Sequence, residues 1–457
     1  MPQGTSAVKN PPGERSPEER YQQRLGLFSG TMMVVGGIIG SGIFLNPAIV
    51  AQRVGSVTLT MGVWILGGVI ALIGALTFAE LGARRPVAGG GYVYLRECFG
   101  ELPAFLYGWT LLLVIATGAI AAVAVTFAGY TVALLGWGPA ARVPTAIGAI
   151  LTLSAINYLG VRPGAITQNV FTLLKLGALA LLIGAGLAGG STSVPLQPLA
   201  VPSGNIILAL GAALVPVLFA FGGWQQTNFI AEEMKDPARN LPRALIGGVI
   251  LVVAVYLLAN LAYVKTLGTT GLAQSNAPAA DVMSSAMGTT GRTIIASGIA
   301  VSTFGFLNLV ILVSPRVYRA MARDGLFFSR LARLHPRFHT PAAAIVLQSV
   351  WAVLLTLTGG YGELLDYVVF GDWIFFGTTA ATVFLYRSRE RRGLESGHVR
   401  FRMPGYPLTP LIFILAALYV VVGSVLSNPA NALKGAALIA LGVPVFLFWR
   451  RRRTTPP

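Results

Sequence analysis

The chain has 457 residues, of which 54% are hydrophobic and 11% charged, where soluble domains carry about 25% charged residues. Apolar runs of about 20 residues recur along its whole length, as bilayer-crossing helices require and a soluble core does not. A soluble fold is therefore excluded, and the net charge of +17 has to be read by its placement before a nucleic-acid partner is considered.

Residues 1–24 form a polar tail, and the first hydrophobic stretch has no cleavage-site pattern, so no cleaved signal peptide is expected. Twelve spans are predicted near 27–51, 57–82, 101–135, 142–160, 164–189, 206–231, 241–267, 289–315, 341–359, 366–387, 407–426 and 432–450. The third is long enough to be strongly tilted or to run on into a loop, and Leu272–Met287 reads as a small helix or loop on the outside. With the N-terminus inside, 27 of the 33 Lys/Arg fall in the tails and even-numbered loops. Five fall on the other face (Arg53, Arg142, Lys265, Arg292 and Lys434), and Lys175 lies within a span. This asymmetry is the positive-inside pattern and places both termini in the cytoplasm. The basic stretches Arg387–Arg402 and Arg450–Arg453 are then topology anchors, and no nucleic-acid partner is expected.

Two spans are broken by glycines at their centres. Span 1 carries Gly36, Gly37, Gly40, Ser41 and Gly42, and span 6 carries Gly222-Gly223. Unwound backbone inside a bilayer is tolerated only where protein shields it or it lines a cavity, and a matched pair of breaks points to a transporter's binding site. The alternative is close helix packing, for which glycine is also used. An odd number of spans separates the two breaks, so the halves cross the membrane in opposite senses, as in an inverted repeat. An unwound helix offers free N–H groups at one half-helix start and free C=O groups at the other half's end. The first suit a carboxylate and the second an ammonium, so one break offers partners for a zwitterion the size of an α-amino acid.

At these residues the chain resembles a known family. Gly-Ser-Gly-Ile-Phe at 40–44 is similar to the first-helix motif of the amino acid–polyamine–organocation superfamily. Phe219-Ala220-Phe221-Gly222-Gly223-Trp224, the Glu232–Pro242 loop, Ser302-Thr303-Phe304-Gly305 with Asn308, and Ser314-Pro315-Arg316 through Gly325 resemble its L-type amino acid transporter branch. The resemblance implies an all-α membrane protein of twelve transmembrane helices. These would form a LeuT-type five-plus-five inverted repeat with two additional helices, helices 1 and 6 being unwound at the midplane. The corresponding divisions are a tail at 1–24, repeats at 25–190 and 206–388, two further spans within 403–450 and a tail at 451–457. Carried onto this chain, the backbone N–H groups around Gly40, Ser41 and Gly42 would hold a substrate carboxylate. The carbonyls of Ile38, Phe219, Ala220 and Gly222 would take its amine, with the Phe219 ring closing over it as a gate. Gln225 and the third span's Ala116-Thr117-Gly118-Ala119 depart from branches with bulky or charged groups there, and leave the side-chain pocket undefined.

Lys175 sits midway through span 5. A charge at that depth costs about 2.5–3.5 kcal/mol on insertion scales and by default marks function. In sodium-coupled relatives a cation lies between helices 1 and 8. The resemblance implies that the Lys175 amine takes that place, reaching carbonyls near Gly36–Gly37 and the hydroxyl of Ser302 or Thr303. A permanently charged Lys175 fits exchange, and a titrating one fits proton-coupled symport.

Other ionisable groups have plainer readings. Glu80, Glu232 and Glu233 lie at cytoplasmic helix ends, where partners among Arg84, Arg85, Lys235, Arg239 and Arg243 are expected. Asp366 and Asp372 lie near the outer part of span 10, as cationic-substrate partners or a polar cap. His335, His339 and His398 sit in basic loops, so no metal site is expected, and no cofactor either. Cys98 is the only cysteine, which excludes an internal disulfide and leaves no link to a heavy subunit between spans 3 and 4. Spans 1, 3, 6 and 8 lack central carboxylates, which favours neutral L-amino acids over polyamines or cationic amino acids. No His, Cys and carboxylate cluster supports a membrane enzyme, and no appended signalling domain supports a sensor. The expectation is therefore a sodium-independent amino acid exchanger of the cell (inner) membrane, with proton symport as the alternative.

Overall fold

The structure is a computed structural model that describes residues 21–188, 205–359, 361–395 and 399–454. His398, residues 1–20 and 455–457, and the side chain of Asp366 lie outside the described residues. Every regular element among the described residues is helical. A single β-bridge, Leu25 with Met234, ties the start of the chain to the segment after the second break.

In chain order the α-helices are α1 (Leu27–Ile38), α2 (Gly42–Val54), α3 (Val57–Arg84), α4 (Gly91–Phe99), α5 (Glu101–Thr110) and α6 (Ala116–Leu135). There follow α7 (Arg142–Tyr158), α8 (Val161–Ala188), α9 (Ile206–Ala220), α10 (Pro237–Gln274), α11 (Pro278–Val313) and α12 (Pro315–Arg323). The last are α13 (Ala342–Thr358), α14 (Tyr361–Arg391), α15 (Leu408–Ser427), α16 (Pro429–Ala440) and α17 (Gly442–Thr454). Nine helical stretches among the described residues are long and apolar enough to cross a bilayer, and a tenth arises if α1 and α2, bent by 42°, form one broken span. The expected twelve are not reached by that measure. One reason is that α13 has 17 residues, short of the about 20 a crossing needs.

The helices approach one another closely through small residues, and large apolar side chains also cover their outer faces. On α3, Gly67 and Gly74 lie where any side chain would run into Val217, Phe413 or Trp224, while Ile65, Leu66 and Val69 are exposed. An apolar outer face suits lipid surroundings, where close packing rather than hydrophobic exclusion joins helices.

Two local features refine the sequence expectation. The long third span is one helix whose turn at Leu111–Ile115 is a π-turn. The carbonyls freed there are met from outside the ladder: Thr117 Oγ1 donates to Leu112 O at 2.6 Å and Trp351 Nε1 to Leu113 O at 3.1 Å. The segment at 272–287, expected as a small helix or loop on the outside, is helical on both sides of a short turn, bounded by kinks at Gly268 (φ 66°) and Gly288 (φ 60°). It is fastened to α2, since Gln52 Nε2 donates to Ala273 O at 2.6 Å, and its Val282 and Met283 are fully buried.

Candidate functional site

α1 stops at Ile38 because Ile39 leaves the helical region (φ −75°, ψ 92°), and α2 restarts at Gly42 after Ser41. The first turn of α2 therefore carries amide donors with no helical acceptor, a ready anion site. The second break falls between α9 and a 3₁₀ turn at Trp224–Glu233, with Gly223 at φ 103°.

The two breaks touch. A Cβ on Gly223 would sit 2.2 Å from Gly37 O, and one on Gly37 would sit 2.9 Å from Gly223 O. Gly42 packs on Ala220, its Cβ position lying 3.0 Å from the alanine Cβ. Tyr256 of α10 joins them further: its hydroxyl is 3.1 Å from Ile38 O and 3.2 Å from Ala220 O. A phenol has one proton to give, so it donates to one carbonyl at a time and holds the other close. These are two of the carbonyls that the resemblance assigned to a substrate amine. Phe219 O accepts from Gly222 N at 3.1 Å, and Gly223 N donates to the Gln225 side chain at 3.0 Å. Gln225 thus braces the second break.

Around the breaks lies a cavity lined by Ile38, Gly40, Ser41, Gly42, Phe219, Ala220 and Gly222, and also by Thr303, Gln226, Asp372 and Trp373. Phe219 as a residue is 43% exposed. All the residues named from sequence as substrate-binding come together in this one space. Sequence reasoning missed Tyr256, which carries no motif signal, and placed Asp372 toward the outer part of span 10, where the structure puts it in the cavity wall.

Lys175 lies behind the first break and is fully buried. Its Nζ donates to Gly36 O at 3.1 Å and to Ile39 O at 2.7 Å. Ser302 Oγ lies 3.2 Å from the same Ile39 O and 3.3 Å from Gly40 O, and its single proton goes to one of the two at a time. Thr303 spends its hydroxyl on its own helix, at Ile299 O and Ala300 O. No carboxylate pairs with Lys175 among the described residues. One and two turns before it on α8, Thr172 donates to Met32 O at 3.1 Å, and Gln168 donates to Thr172 at 3.2 Å. Any side chain at Gly36 would overlap both of these groups. Asn308 and then Asn157 extend the ladder, at 3.0 and 2.9 Å.

At one end of the bundle the arginines close a network. Glu80, fully buried, accepts from Arg84 at 2.8 Å, from Arg387 at 2.6 Å and from Met403 N at 2.9 Å. Glu233 pairs with Arg316 at 2.7 Å, not with the neighbouring Lys235, Arg239 or Arg243 that the sequence offered. Its partner comes from α12, which the 3₁₀ turn faces. Burial works against the Arg85 charge, yet the hydrogen bond and charge of Glu97, with Glu395, hold its pKa above the ordinary value.

Residues 25–448 match the family described as amino acid permease. The chain belongs to that family. It is 34% identical to the serine/threonine exchanger SteT of Bacillus subtilis over 438 residues, covering 95% of this chain and 98% of that one. It is 33% identical to mouse b(0,+)-type amino acid transporter 1 over 450 residues (95% and 91% covered). It is also 33% identical to mouse large neutral amino acids transporter small subunit 2 over 480 residues (98% and 88%). These relatives, all transporters, place it with the L-type branch of the superfamily, as an integral membrane amino acid transporter.

Proposed function

We propose that the chain exchanges neutral L-amino acids across the cell (inner) membrane by alternating access, without sodium. The fold behind this reading is the twelve-helix, five-plus-five inverted repeat with cytoplasmic termini. The substrate carboxylate meets the amides around Ser41 and Gly42, and its amine meets the carbonyls of Ile38, Phe219, Ala220 and Gly222. Phe219 closes the site. The observation that carries this reading is the mutual contact of the two breaks at Gly37 and Gly223 on the wall of one cavity.

Lys175 takes the place of a coupling cation. Its two bonds to the end of α1 give that half-helix end a positive charge that a bound cation would otherwise supply. The exchange reported in the name of the Bacillus subtilis relative favours obligatory counter-transport here. Cys98 lies on α4, away from the segment between α6 and α7, which supports function without a linked heavy subunit.

The test is uptake of radiolabelled amino acid into proteoliposomes, empty or preloaded with unlabelled amino acid. Exchange requires uptake into preloaded vesicles alone. Uptake into empty vesicles that grows with an inward proton gradient establishes the second reading, symport with Lys175 titrating. Among the described residues no carboxylate pairs with that lysine, and this favours the second reading. Wild-type rates and unchanged ion dependence in Lys175→Ala would remove the lysine from either scheme.

A further inference from the structure

We propose that the groove between α7 and α13 binds an anionic phospholipid, with an acyl chain in the groove and the phosphate in a polar pocket beyond its end. Leu151, Ala155 and Leu159 line one side of the groove, and Val346, Val350 and Leu354 the other. Each set recurs every four residues and so forms one stripe along its helix. Its large members stay about half exposed. On the floor, the Ser154 and Ser349 hydroxyls lie 2.6 Å apart and are spent on each other and on carbonyls of their own helices. The groove therefore offers an occupant apolar contact alone. From Val346 to Leu354 it runs about 12 Å, comparable with one leaflet's half of the roughly 30 Å hydrocarbon core. That length fits a lipid chain, whereas a crossing helix would need a seam of twice the extent.

At the end that the charge asymmetry assigns to the cytoplasm, the chemistry changes. The Tyr158 ring meets those of His335 and Phe338, with centroids 5.4 and 6.0 Å away. Such amphipathic rings sit where hydrocarbon gives way to headgroups. Leu159 lines both the groove and the polar pocket beyond it. Arg24, Arg337 and His339 line that pocket, as do Gly160 and Val161 at the start of α8, whose free amides favour an anion. The carboxylate of Glu233 also lines it, but is paired with Arg316 at 2.7 Å. No carboxylate pairs with Arg24 or Arg337 among the described residues. The headgroup selected is thus a phosphodiester without its own neutralising ammonium.

The pocket also joins two parts of the molecule. Arg24 N and Leu25 N both donate to Glu233 O at 3.0 Å, which ties together the ends of the two broken spans on this side. Facing them are the α7–α8 connection and the loop before α13, held to each other by Thr340 Oγ1 donating to Tyr158 O at 2.9 Å. A phosphate between them bridges the broken spans to the helices of the groove and stabilises this arrangement.

The experiment titrates the purified full chain in detergent with phosphatidylglycerol or with phosphatidylcholine of the same chains, reading Tm and the Kd derived from it. Phosphatidylglycerol should bind the wild type more tightly and raise Tm further. In the double variant Arg24→Gln, Arg337→Gln its affinity should fall roughly 30-fold, two cations each contributing a factor of about five, while phosphatidylcholine is unaffected. Ala155→Trp fills the groove and should weaken both lipids alike. All three positions are exposed, so the core is undisturbed. Equal effects of the two lipids on the wild type overturn the inference, as does an unchanged phosphatidylglycerol affinity in the double variant or in Ala155→Trp. Inorganic phosphate raising Tm as far as phosphatidylglycerol makes the pocket a free-anion site and also overturns it. A wild-type dimer that Ala155→Trp converts to monomer assigns the groove to a second copy, with the same consequence.

Discussion

Gly223→Ala tests whether contact between the two breaks organises the site. The added Cβ would lie 2.2 Å from Gly37 O and 2.7 Å from Gly37 C, whereas an ordinary contact lies at about 3.5 Å or beyond. One break must therefore move by about 1 Å, the scale on which overpacking costs about 1–3 kcal/mol. The residue also sits at φ 103°, where a side chain adds about 1–2 kcal/mol. Together the cost is about 2–5 kcal/mol, borne at the cavity wall. Exchange in proteoliposomes should fall by more than tenfold, and Tm in detergent should drop. Gly177→Ala on α8, whose Cβ meets nothing within 4 Å, is the control, and should leave both unchanged or slightly improved. A Gly223→Ala protein with wild-type exchange and Tm would refute the argument that the breaks must touch.

Gly42→Leu should abolish exchange while Ser41→Ala raises KM only several-fold. The Cβ at Gly42 already meets Ala220 at 3.0 Å, and binding by Ser41 is assigned mostly to backbone; equal effects in an uptake assay would contradict this. Tyr256→Phe removes the hydroxyl between Ile38 O and Ala220 O and should cost about 0.5–1.5 kcal/mol, seen as a lower Tm and a raised KM with kcat less affected. Burial pushes the Cys98 thiol up to about 11. Since only the thiolate is alkylated, iodoacetamide labelling should be slow at neutral pH and accelerate about tenfold per pH unit until near that value. A plateau below pH 9 would refute it.

The glycine runs and the mid-span lysine were legible because each breaks a rule of the bilayer interior. A run of residues without side chains cannot pack alone, and a charge cannot stay alone. Lys175 accordingly reaches the end of α1, and Gly36 is small because Gln168 and Thr172 stand against it. Tyr256 was illegible, since a tyrosine in an apolar helix gives no sign of which carbonyl it will meet. Asp372 was visible as a residue but not as part of the wall, because its depth depends on how α14 packs beside the π-turn of the third span. Glu233 found Arg316 rather than its chain neighbours for the same reason: the partner is set by tertiary packing.

That π-turn has a geometric consequence for the cavity. Tyr107, Leu111, Ile115, Ala119 and Val123 all line it, each four residues from the next. In an unbroken α-helix, at about 100° per residue, Val123 would lie about 160° around the axis from Tyr107 and face the opposite way. The wide turn at Leu111–Ile115 absorbs one residue's rotation, about 100°, and straightens a spiral stripe into one wall. Deleting a single residue there would shorten the helix by only about 1.5 Å, a trivial change in membrane depth. Because the wide turn already holds one residue more than an α-turn, that deletion restores plain α-helix and keeps the stripe in the cavity, whereas the same deletion a turn further on would rotate everything beyond it by about 100°.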